Sequence, residues 1–147
     1  MKLRFALAVN NNNHFEKKHF GDADKYQLYQ QEEDELIFIS EHPNLYKSYD
    51  EEAGHGSKKK GMAIIKFLAG HGVNILVSKQ FGKNISLINE HFIPVKISSE
   101  TPDEVIQILS KHLHWIKDEW GLGKSNFKLF TIKSGILKST INKAKTD

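Results

Sequence analysis

Three consecutive lysines stand where a helix is expected to begin, in Ser57-Lys58-Lys59-Lys60-Gly61. A helix N-terminus is already partly positive, so each cation placed there costs about 0.3–1 kcal/mol. An anion bound at the same place reverses that penalty, because free N–H groups and ammonium groups then converge on it. Gly82-Lys83-Asn84 repeats the arrangement at the start of a second, shorter helix. The plain alternative is a set of solvated lysines splayed apart; two helix starts of the same kind favour an anion site. Glycines stand beside both, as Gly54-His55-Gly56 and Phe81-Gly82. Glycine lets a backbone approach a ligand closely, and in α/β sheets ligands bind beyond the carboxyl ends of strands, at turns of this sort.

Eight histidines are present, of which His14, His19 and His55 fall in loops expected near that edge. Neutral imidazole is a competent ligand for zinc, copper and iron. The chain has no cysteine, which removes thiolate as a ligand and leaves imidazole as the best soft-to-borderline donor. The histidine spacing matches no standard zinc motif. Taken singly, each reads as an ordinary surface or hydrogen-bonding residue. His112 and His114 are two apart on a helix and so face different sides. No nucleophile elbow, P-loop or paired-carboxylate motif appears, so the sequence offers no catalytic machinery.

These residues need a frame to hold them. Leu3 to Val9 alternates as a strand and ends in the polar turn Asn10 to Asn13. Tyr26–Gln30 and Leu36–Ser40, joined by the acidic turn Glu32 to Glu35, read as an antiparallel hairpin. Glu41 to Gly56 lacks a period and reads as a long loop. Ser57 is placed to cap a helix striped by Met62, Ile65 and Leu68, which Gly70 and Gly72 end. Val73–Val77 has the nearly all-apolar character of a strand buried on both faces. A short helix over about Asn84 to His91 leads to a strand at Ile93–Ile97. Thr101, Pro102 and Glu104 form a capping box opening a helix that reaches Trp120. Phe127–Ile132 reads as one more strand, and the basic tail from Ser134 as a frayed helix.

That order, β-β-β-α-β-α-β-α with an extra strand, predicts a mixed five-stranded sheet with helices on both faces. It is the element order of the ribonuclease H-like architecture. Two-metal nuclease chemistry would need several converging carboxylates, one of them on the first strand. Leu3–Val9, Val73–Ser78 and residues 57–70 contain no acid, which argues against a nuclease.

Composition sets the outer bounds. The 147 residues, 39% hydrophobic, suit one globular domain with its own core. The net charge of +3 is mild and does not by itself call for nucleic acid. The apolar start MKLRFALAV is too short for a secretory signal, and no stretch approaches the ~20 apolar residues of a membrane helix. A cytoplasmic setting, with neither membrane nor nucleic acid as partner, is the expectation.

Four segments together resemble a known family. They are the first strand with its polar loop; His19-Phe20-Gly21; Gly54-His55-Gly56 with the helix after it; and Gly72-Val73-Asn74-Ile75-Leu76-Val77-Ser78 followed by Phe81-Gly82-Lys83-Asn84. In order and spacing they resemble the dinitrogenase iron–molybdenum cofactor biosynthesis family, the NifX/NafY-like domain, over roughly Met1 to Ile116. The resemblance implies a ribonuclease H-like fold without nuclease activity. It implies binding or carriage of iron–sulfur or molybdenum-containing clusters, or their precursors, between donor and acceptor proteins. Carried over by position, the site includes His19, His55 and Gly82. The triple lysine and the segment after Trp120 depart from the family's pattern.

The expectations are therefore specific. Residues 1–120 form the family-like domain and 121–147 an extension that adds a strand to its own sheet or a partner's, with a homodimer left open. Asn10, Gly21, Gly54, Gly56, Lys58, Lys59, Lys60, Gly82 and Lys83 bind an anionic ligand, and His19 and His55 ligate any metal. The protein is read as a non-enzymatic cluster carrier. The rival readings are a metal-free module sensing phosphate or a nucleotide, and an enzyme using a histidine as acid or base.

Overall fold

The computed structural model describes residues 1–48, 58–123 and 125–139. The first strand, β1 (Arg4–Val9), is an inner strand of the sheet, paired on both sides. Its alternating side chains supply two cores: Phe5, Leu7 and Val9 face one side, Ala6 and Ala8 the other, as the two-residue period of a strand requires. β2 (Lys25–Glu32) and β3 (Glu35–Pro43) form the expected hairpin, with Glu32 opposite Glu35 across the Glu33-Asp34 turn. β3 therefore takes in Glu41 to Pro43, the start of the segment read as loop, while residues 49–57 lie outside the described residues. β4 (Ile75–Ser78) is wholly buried and pairs parallel to β1, as an apolar run covered on both faces should.

Helices cover both faces of the sheet. On the face of Ala6 and Ala8, α1 (Lys58–Gly70) buries Ile64, Ile65 and Leu68, and the four-residue α2 (Ile85–Ile88) buries Ile88. On the opposite face, α3 (Pro102–Lys111) and α4 (Leu113–Gly121) bury Val105, Leu109, Leu113 and Ile116. The capping box is present: Thr101 Oγ1 accepts from the Glu104 amide at 3.2 Å, and Glu104 Oε1 accepts from the Thr101 amide at 2.9 Å. The single helix expected as far as Trp120 is broken at His112, whose φ of −126° is not helical. Its ring stacks on Trp115 with centroids 4.5 Å apart. No glycine or proline marks this break in the sequence.

The sheet has seven strands, not five, in the order β3-β2-β1-β4-β5-β6-β7. β5 (Ile93–Ile97) and β6 (Phe130–Lys133) continue the parallel set, and β7 (Ile136–Ser139) closes the edge antiparallel to β6. The extension thus joins its own sheet. Of the tail read as a frayed helix, Ile136–Ser139 is a strand, because Ser134 (φ 53°) and Gly135 (φ 76°) form a two-residue hairpin turn, whose two left-handed residues match the twist of the flanking strands; residues 140–147 lie outside the described residues.

One buried carboxylate fastens this hairpin. Glu100 accepts from the Gly135 amide at 2.8 Å through Oε2, and from the Ser98 hydroxyl at 3.2 Å through Oε1. Burial works to raise the pKa of this carboxyl, but the amide and hydroxyl donors outweigh it, and the net shift is downward. A carboxylate lowered in the folded state contributes stability above its unfolded value, near 4.5. That stability is lost as pH falls through the folded value. Glu100→Gln is expected to lower stability by about 1 kcal/mol at neutral pH and to flatten the loss of stability below about pH 4.5. Thermal melts of both proteins across the acid range check this; parallel curves would contradict it.

Candidate functional site

The site forms where β1 and β4 end side by side, since their parallel pairing sends both following loops to one edge. The loop after β1 carries His19, which leads into a tight turn at Phe20–Asp22. That turn is held from three directions. The Phe20 amide donates to the Gln80 carbonyl at 2.9 Å, tying it to the loop after β4. The buried Tyr26 hydroxyl donates to the Phe20 carbonyl at 2.9 Å. Burial, with the Asp22 charge nearby, pushes the Tyr26 phenol well above its ordinary range, so it stays a donor. The Asn44 side-chain amide donates to the carbonyls of Gly21 and Ala23 at 3.0 and 2.9 Å.

His19 lies against Gly82. A Cβ on Gly82 would sit 2.7 Å from the imidazole, and Gly82 has φ 63°. This position therefore needs glycine both for its backbone and for the ring above it. Around them are two openings that share His19 and Asp22. The inner crevice, about 20 Å³, is lined by His19, Gly21, Asp22, Lys60, Gly61 and Asn84 among others and holds about one water. The outer cleft, about 330 Å³, is lined by Lys17, Lys18, His19, Asp22 and Gln80.

The expected residues distribute unevenly over this site. His19, Gly21 and Lys60 line the inner crevice, and Gly82 supports His19. Lys60 Nζ lies 3.0 Å from Asp22 Oδ1, both side chains largely buried at 12% and 18% exposed. Lys58 and Lys59 are exposed on the first turn of α1, and Lys59 lines a groove with Tyr46 and Lys66. Lys83 is exposed in the turn Gly82–Asn84, ahead of a helix only four residues long rather than the eight expected. The structure does not bring the four lysines to one point. Asn10 lines neither opening; its Oδ1 accepts from the amides of Asn12 and His14 at 2.9 and 3.1 Å and so shapes the turn after β1. Gly54, His55 and Gly56, with the cap Ser57, lie outside the described residues.

Lys17, Lys18 and Gln80 line the outer cleft and were not expected there. Gln80 is adjacent to Lys17 through its side-chain amide, which donates to the Lys17 carbonyl at 3.2 Å. No period or helix start marks the two lysines in the sequence; their one signal is adjacency to His19. Asp22 was also missed, since nothing local announces an ion pair across 38 residues. Just behind the loop, Lys47 and the Asn11 amide hold the Asp24 carboxyl below its usual range. Among the described residues no three His, Asp or Glu side chains come together as a metal site, and no helix is long and apolar enough to cross a membrane.

The arrangement can present one imidazole and several ammonium groups to a compact anion. No curated protein matches the chain. A family model described as dinitrogenase iron-molybdenum cofactor matches residues 1–112 of the 147. That match spans β1 through α3 and so contains both openings and His19. The chain belongs to the dinitrogenase iron-molybdenum cofactor family, whose members take part in the biosynthesis of that cofactor.

Proposed function

We propose that the protein carries an anionic metal–sulfur cluster, or a precursor of one, between donor and acceptor proteins in the cytoplasm during cofactor assembly, without catalysing a reaction. The observation that carries this reading is His19, set at the shared wall of two openings and backed by a glycine that leaves room for its ring. A preassembled cluster brings its own bridging ligands, so one imidazole is enough to tether it. His55, in Gly54-His55-Gly56, is proposed as a second ligand. Lys58, Lys59 and Lys83 add positive potential at the same edge, which favours encounter with an anion more than it sets final affinity. The sequence of strands β3-β2-β1-β4-β5, with β2 alone antiparallel among them, supports a ribonuclease H-like arrangement extended by β6 and β7.

The test is an anaerobic titration with tetrathiomolybdate or a small iron–sulfur species, followed by visible absorption. Wild-type protein is expected to bind. His19→Ala is expected to lose at least tenfold in affinity for the iron–sulfur species, on which the imidazole replaces a terminal ligand of iron, with little change in salt dependence, since a coordinate bond is not screened as surface charges are. Replacing Lys58, Lys59 and Lys83 by glutamine is expected to weaken binding chiefly at low salt. If the wild type bound phosphate but no metal–sulfur species, the site would be a small-anion sensor and the carrier reading would fail.

A further inference from the structure

We propose that the anion docks in the outer cleft, on Lys17 and Lys18, and that Lys60 serves the site by neutralising Asp22 rather than by touching the anion. This rests on the carrier reading for the identity of the anion, but not for the place where it sits.

Size comes first. The inner crevice, about 20 Å³, has room for one water, whereas the outer cleft, about 330 Å³, has room for a polyatomic ion. Charge points the same way. Lys17 and Lys18 line the outer cleft and are exposed, so their ammonium groups can turn toward an arriving anion. The floor is fixed, because the Phe20 amide and the Gln80 side chain tie the loop before Phe20 to the loop after β4.

Asp22 is the problem such a site must solve. Asp22 lines both openings, and its carboxylate would repel an anion in either. Lys60, reaching over from α1, lies 3.0 Å from it. With both side chains largely buried, the pair is poorly screened by solvent and breaking it leaves an uncompensated charge. Lys60 is thereby a positioning residue: it removes the repulsion and keeps the turn Phe20–Asp22 against α1. Its cationic neighbours Lys58 and Lys59 project from the same turn but line neither opening.

A charge-swap cycle separates this from direct contact by Lys60. Tetrathiomolybdate affinity is measured anaerobically for wild type, K17Q/K18Q, K60Q, D22N and D22N/K60Q. The expected pattern is a loss on the order of tenfold or more for K17Q/K18Q, a comparable loss for K60Q, tighter binding for D22N, and near wild-type binding for D22N/K60Q. A double variant as weak as K60Q, or K17Q/K18Q at wild-type affinity, would overturn the proposal. The same proteins are titrated with inorganic phosphate and read by amide chemical shifts. Shifts at Lys17, Lys18 and Gln80 locate the anion in the outer cleft even if tetrathiomolybdate does not bind, in which case the carrier reading fails and the docking place stands. Shifts confined to the first turn of α1, or no response to either anion, would overturn the docking place itself.

Discussion

Removing everything after Gly123 should leave a chain that does not hold its fold as a monomer. The segment supplies Phe127, Phe130, Ile132 and Leu137, each no more than 6% exposed and all part of the core beneath α3 and α4. Fully burying side chains of this size contributes about 1.5–3 kcal/mol each, or roughly 6–12 kcal/mol for the four. The stability of a whole domain is about 5–15 kcal/mol, so the loss is of the same order as the total. Truncation also strips β6 from β5 and leaves Ile93–Ile97 as a bare apolar edge, an invitation to strand pairing between chains. Circular dichroism and light scattering of the truncated protein are expected to show unfolded or associated chain. A cooperative melt of a monomer at the wild-type temperature would contradict this and would mean that the family-matched residues fold without the extension.

Gly82→Ala should separate stability from binding. The residue has φ 63°, where a side chain costs about 1–2 kcal/mol. Its new Cβ would also meet the His19 ring at 2.7 Å. That ring is the end of a side chain and can swing away, so much of the clash is relieved by moving it. The expected result is a protein destabilised by about 1–2 kcal/mol that binds the iron–sulfur species as poorly as His19→Ala. Gly123→Ala is the control, because Gly123 has φ 64° and an added Cβ there would meet nothing within 4 Å. It should incur the same backbone cost and bind normally. If both variants bound alike, the Gly82–His19 contact would have no part in the site.

The frame was legible in the sequence wherever local chemistry and tertiary need agree. The alternation of Leu3 to Val9, the acidic turn between β2 and β3, and the Thr101 capping box each announce an element that packing then uses. β7 was not legible, because Ser134 to Ser139 is polar and basic apart from Ile136 and Leu137. What makes it a strand is a turn conformation at Ser134 and Gly135, fastened by Glu100. The break at His112 was hidden for a similar reason: a ring stacked on Trp115 has no counterpart in helix propensity.

The site was legible at the level of its edge rather than its contacts. Of the residues singled out near helix starts, Lys60 lines the inner crevice, and of the motif His19-Phe20-Gly21 it is His19 that lines both openings. The distribution of charge could not be read this way. Lys58, Lys59 and Lys60 look equivalent in the sequence, yet one helical step rotates each to a new direction, and Lys60 is the one that meets Asp22. Lys17 and Lys18 carry no periodic signal, and their place beside Gln80 depends on a parallel bridge between His19 and Gln80.

The most direct test of cluster carriage is the metal and acid-labile sulfide content of the protein purified without oxygen from cells that assemble metal–sulfur clusters. The account predicts iron or molybdenum together with sulfide on the wild-type protein, and their loss from His19→Ala under the same purification. Wild-type protein that emerges free of metal and sulfide while still binding phosphate in the outer cleft would contradict it.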